Sequence, residues 1–70
     1  MRLFINGNQK EFPEPSSGGL TVKSLLNALK LKPEAMAFEL NLEIVPKKDY
    51  DSRLLKEGDK IEIISFVGGG

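Results

Sequence analysis

The chain predicts an α+β domain in which one main helix covers one face of a mixed β-sheet. Three stretches carry this expectation. Met1 to Asn6 alternates in hydrophobicity and runs into Asn6-Gly7. Thr21 to about Lys30 repeats apolar residues at helical spacing. Lys60-Ile61-Glu62-Ile63-Ile64-Ser65-Phe66 is a β-rich run close to the C-terminus. With 70 residues the chain makes one small domain, near the lower end of what folds without a staple.

In the first strand, period-two alternation puts Met1, Leu3 and Ile5 on one side and Arg2, Phe4 and Asn6 on the other. Asn6-Gly7 is a strong hairpin signal, because both residues tolerate positive φ. A second short strand is expected around Gln9 to Phe12. Pro13, Pro15 and Ser16-Ser17-Gly18-Gly19 then form a loop. That loop is no domain boundary, since the hairpin before it cannot stand alone.

The helix carries Val22, Leu25, Leu26 and Leu29 at i, i+3, i+4 and i+7, a single apolar stripe. Thr21 suits the N-cap, and Leu20 with Leu25 occupies the positions of a hydrophobic staple. Lys30 and Lys32 suit the negative end of the helix dipole, and Pro33 bars continuation. Met36 to Leu40 reads as a third strand with Met36, Phe38 and Leu40 on one side. Asn41 marks a turn, Leu42 to Val45 a fourth strand closed by Pro46, and Lys47 to Arg53 a polar connection with room for one helical turn. Leu54 and Leu55 are expected in the core, Glu57-Gly58-Asp59 in a turn. A last strand parallel to the first would complete a ubiquitin-like β-grasp, with residues 1–67 as body and 68–70 as a flexible tail.

Composition removes several kinds of chemistry. The sequence has no cysteine and no histidine, so disulfides, thiolate metal sites and imidazole acid–base catalysis are excluded. Ten basic residues balance ten acidic ones, which argues against a nucleic-acid or anionic-membrane binder. No apolar run could span a bilayer, and Met1 to Asn6 alternates like a strand rather than a signal peptide. The expectation is a soluble cytoplasmic domain with no bound metal or cofactor. Asp, Glu, Lys and Tyr50 remain as acids and bases, without a clustered constellation.

The tail Val67-Gly68-Gly69-Gly70 follows the last strand with no polar spacer. Three glycines without Cβ atoms make a thread about 10 Å long that can enter a narrow cleft. A terminal carboxylate is ionised at neutral pH and can attack the phosphorus of a nucleoside triphosphate. The same glycines also suit a frayed end. No phosphate-cradling loop, thiol or imidazole is present, so any activation of Gly70 must come from another protein.

Several segments together carry a family resemblance: Arg2 to Gly7, Thr21-Val22 through Leu25-Leu26, Leu40-Asn41-Leu42-Glu43-Ile44-Val45-Pro46, Leu55 to Ile63, and Phe66-Val67-Gly68-Gly69-Gly70. The chain resembles the small, ubiquitin-like sulfur carriers of thiamine-thiazole biosynthesis. It departs from them at Leu42, where that family commonly has glycine. The resemblance implies a carrier rather than an enzyme. An adenylating, E1-like enzyme using ATP and magnesium would join the Gly70 carboxyl to AMP. Sulfur from a persulfide donor would convert the adenylate to a thiocarboxylate, and thiazole synthase would accept the sulfur. Gly68 and Gly69 would enter partner active sites.

Ordering those glycines costs about 1–2 kcal/mol of backbone entropy each, so contacts on the body must offset it. Phe4, Ile64, Phe66 and Val67 are the candidate docking residues, since exposed apolar clusters mark interfaces. A bulge near Ser65 that turns Phe66 into the core is the equal alternative. Rival functions are the small subunit of molybdopterin synthase, a ubiquitin-like modifier joined to lysines, and a non-catalytic interaction module.

Overall fold

The computed structural model describes residues 1–13 and 19–65. Its strands are β1 (Arg2–Ile5), β2 (Asn8–Glu11), β3 (Met36–Leu40), β4 (Glu43–Ile44) and β5 (Lys60–Ser65), with one α-helix, α1 (Val22–Ala28). They form one sheet in the order β2-β1-β5-β3-β4. β5 lies at its centre, parallel to β1 and antiparallel to β3. This is the mixed sheet with a helical cover that the pattern predicted.

The first hairpin pairs Ile5 with Asn8 across Asn6 and Gly7, whose φ values are 51° and 84°. Two positive-φ residues in a two-residue loop twist the chain the way paired strands require. Leu3 and Ile5 are buried and Phe4 is half-buried on the other face, as alternation demands. β2 begins and ends one residue earlier than expected, because the two-residue loop brings Asn8 straight into register with Ile5.

The helix start finds partners for its first three helical N–H groups. Thr21 Oγ1 accepts from the Ser24 N–H at 3.1 Å. The Val22 N–H donates to the Arg53 carbonyl at 3.0 Å and the Lys23 N–H to that of Tyr50 at 2.9 Å. The connection after β4 is thus tied to the helix as well as to the sheet. The helix ends sooner than expected. Lys30 adopts φ 60°, its N–H donates to the Asn27 carbonyl at 3.0 Å, and the Leu31 N–H donates to that of Leu26 at 2.9 Å. That pair of bonds closes the helix before Pro33 can interfere. Pro33 instead opens a 3-10 turn, Pro33–Ala35, leading into β3.

Val22, Leu25 and Leu26 bury against Leu3, Ile5, Phe38, Leu40 and Ile61, and Leu29 packs at the margin. Full burial of each such side chain is worth about 1.5–3 kcal/mol, which is what holds so short a helix on the sheet. Tyr50 joins this core with its ring centroid 6.0 Å from that of Phe38. Leu55 is buried, whereas Leu54 is half-exposed, correcting the expectation that both tuck in. Strand alternation explains it: Leu54 bridges to Thr21 and covers Gly19, while Leu55 faces inward. β4 is shorter than expected because Leu42, at φ 74°, belongs to the turn with Asn41.

Candidate functional site

β5 is the last described element, and the residues of the expected tail follow it in the sequence. Successive β5 residues direct their main-chain groups to opposite sides, toward β1 or toward β3. On the β3 side the ladder is regular from Leu40↔Ile61 to Met36↔Ser65. Among the described residues no bulge interrupts it. On the β1 side the partner strand stops at Ile5, and the Asn6 N–H makes its last main-chain bond, to the Ile61 carbonyl at 2.8 Å.

The Asn6 side chain then stands in for the missing strand. Its Oδ1 accepts from the Ile63 N–H at 2.7 Å and its Nδ2 donates to the Ile63 carbonyl at 3.3 Å. Asn41 does a related job at the start of β5. Its main-chain N–H donates to the Lys60 carbonyl at 2.7 Å, and its Oδ1 accepts from the Lys60 N–H at 3.0 Å. Its Nδ2 donates to Oδ1 of the buried Asp59 at 3.0 Å, whose Oδ2 accepts from the Lys56 N–H at 2.7 Å. Gly58, at φ 83°, allows this turn to close. The two asparagines therefore fix β5 from both flanks.

The sheet face away from the helix carries Phe4, Lys60, Glu62, Ile64, Ala37, Glu39 and Ile44 by strand alternation. Ile64 is 46% exposed and Ile44 60% exposed. Phe4 and Ile64 share this face but do not form one cluster. Phe4 is in register with Lys60, four residues before Ile64, so roughly 13 Å of strand separates them. A hollow of about 190 Å³ lies beside Phe4, lined also by Gly7, Lys60, Ile61 and Glu62. Glu39 and Glu62 stand directly opposite each other, with no ion pair to either among the described residues. The docking candidates Phe66 and Val67 and the tail residues Gly68, Gly69 and Gly70 lie outside the described residues.

Among the described residues no group of three or more acidic side chains is placed to hold a metal ion. Burial pushes the Tyr50 phenol above its ordinary 10.0, and a hydrogen bond with the Phe38 main chain offsets part of the rise. Tyr50 sits in the core, not in a cleft. The side-chain roles of Asn6, Asn41 and Asp59 escaped sequence reasoning, which saw them only as turn formers. The sole hint was an asparagine at the end of two different strands, since a carboxamide can both donate and accept like a peptide group.

One helix over a five-stranded mixed sheet, with its last strand central and parallel to the first, defines a ubiquitin-like β-grasp domain. The crystal structure of the thiamine biosynthesis protein (ThiS) from Geobacter metallireducens superposes with a TM-score of 0.81 at 35% identity, covering 100% of both chains. The chain belongs to the ThiS family, whose profile matches residues 3–70. The sulfur carrier protein ThiS of Bacillus subtilis is 34% identical over 68 residues, covering 97% of this chain and 98% of its own. A thiazole synthase of Paramagnetospirillum magneticum is 44% identical over 70 residues, and one of Magnetococcus marinus is 36% identical. The chain spans 20% of the length of each of these two synthases. No described helix is long and apolar enough to cross a membrane.

Proposed function

We propose that this domain is a sulfur carrier for thiazole formation in thiamine biosynthesis, activated at the carboxyl of Gly70. The observation that supports it best is the family match, which runs through residue 70 and so takes in the glycine tail along with the body. In this reading the Gly70 carboxylate attacks the α-phosphorus of ATP on an adenylating partner, expelling pyrophosphate and giving an acyl adenylate. A protein persulfide displaces AMP to form an acyl disulfide. A thiol then cleaves the disulfide, leaving the thiocarboxylate on Gly70 and a mixed disulfide on the donor. Thiazole synthase is the acceptor of that sulfur.

The chain itself contributes no proton shuttle, having neither histidine nor cysteine. Its part is to present a slender tail from a rigid strand and to dock. The strand is rigid because both its flanks are hydrogen-bonded as far as Ile63. We assign docking to the outer sheet face with Phe4 and Ile64, so a partner has to span the length of β5 to touch both. The body acts as a protein co-substrate of its partner enzymes.

The deciding experiment is ATP-dependent AMP transfer by the cognate adenylating enzyme, read by intact mass. Deleting Gly70 should abolish the adduct while the melting curve stays as it was. Ile64→Asp should fold normally yet be adenylated poorly at low carrier concentration. Full adduct formation without Gly70 would end the reading. In the intact carrier, adding the sulfur donor should shift the mass by one oxygen-to-sulfur exchange; lysine conjugates would mark a modifier instead.

A further inference from the structure

We infer that Asn6 is a positioning residue for the carrier: its carboxamide holds the C-terminal part of β5, which the tail follows in the sequence. This inference rests on the carrier reading and names a residue that serves it. β1 ends at Ile5, two residues short of the rung at Ile63 on that flank. The Asn6 side chain supplies that rung, binding both the N–H and the carbonyl of Ile63. Among the described residues these are the last hydrogen bonds to β5 on the β1 side, and on the other side pairing runs to Met36↔Ser65. With Asn6 in place both flanks of the strand are held to within two residues of its end. Without it, the last residues of β5 would be held from the β3 side alone.

Gly70 lies seven residues beyond Ile63 in the sequence, so the strand end that Asn6 holds is the base from which the reacting end is presented. Misplacement of a reacting group by about 1 Å can cost on the order of a hundredfold in rate. Asn6 follows Phe4 by two positions and bonds the chain neighbour of Ile64, but its polar atoms are engaged with Ile63 rather than offered to a partner. Its effect should thus fall on turnover rather than on docking.

A simple turn role makes a different prediction. Asn6 has φ 51°, a conformation that glycine adopts more readily. If Asn6 mattered only for the turn, Asn6→Gly would be neutral. If the carboxamide positions the strand, Asn6→Gly keeps the hairpin and loses the rung. Amide hydrogen exchange at Ile63 should then quicken by about five- to tenfold, with exchange at Phe38 and Ile61 unchanged. In the adenylation assay kcat should fall by roughly threefold or more while KM for the carrier holds.

Asn6→Asp supplies the rescue arm. Aspartate tolerates positive φ and retains the acceptor for the Ile63 N–H, but loses the donor. It should restore slow exchange at Ile63 and part of kcat. Unchanged Ile63 exchange in Asn6→Gly would overturn the inference. So would wild-type kcat despite fast exchange, or a rise in KM with kcat intact. Wild-type carrier that never accepts AMP would overturn the carrier reading instead; the exchange data would still decide whether Asn6 holds the C-terminal part of β5.

Discussion

Leu42 occupies a backbone conformation that its side chain disfavours. At φ 74° it is left-handed, and it is 91% exposed, so its side chain recovers almost nothing by burial. A non-glycine residue there costs about 1–2 kcal/mol. Glycine would remove that strain and give back roughly 0.4–1 kcal/mol through its freer unfolded chain. The first effect wins, so Leu42→Gly should stabilise the domain by about 0.5–1 kcal/mol, seen as a higher urea midpoint at constant slope. A lower midpoint would mean that the leucine makes contacts the geometry does not reveal. Asn6-Gly7 was readable in the sequence because both residues favour the conformation they adopt. Leu42 was not, since its φ is imposed by the neighbouring Asn41, clamped to Lys60 and Asp59.

At the scale of elements, the apolar periods located α1, β3 and β5, and β3 emerged with the expected bounds. The ends of the helix and of β4 shifted because caps and turns set them. Lys30, in the left-handed region, stopped the helix, and Pro33 played no part in it. Strand alternation turns Glu62 outward, and only the register decides what it faces. The register puts it against Glu39, a like-charge pair on adjacent strands. Such a pair is destabilising by about 0.2–1 kcal/mol. Glu62→Gln should therefore raise stability by a few tenths of a kcal/mol or more at low salt, with the gain shrinking as ionic strength screens the repulsion. Chemical denaturation at two salt concentrations checks it; a stability loss at low salt would contradict the pairing.

At the scale of the whole molecule, one helix on one sheet leaves a small core centred on Phe38, which is fully buried against Tyr50 and the helix stripe. Native stability of about 0.05–0.15 kcal/mol per residue gives a 70-residue domain roughly 4–10 kcal/mol. Truncating a buried phenylalanine removes about 3–5 kcal/mol. Phe38→Ala should therefore broaden or abolish the cooperative thermal transition followed by circular dichroism. A melt within a few degrees of wild type would show that the core is larger than one layer of contacts. The same smallness leaves the sheet with a second side that the helix does not cover.

By itself the sequence determined the element types, the inward-facing residues and the chemistry that is absent, because each follows from local periodicity or from residue identity. It also suggested the glycine tail as the reactive end. Only the tertiary structure decided which strands are neighbours, and so that Asn6 completes the ladder beside Ile63, that Phe4 stands apart from Ile64, and that Glu39 meets Glu62. Those relations join residues some twenty to sixty positions apart along the chain. They depend on the register between strands, and no local pattern encodes a register until the two strands are laid side by side.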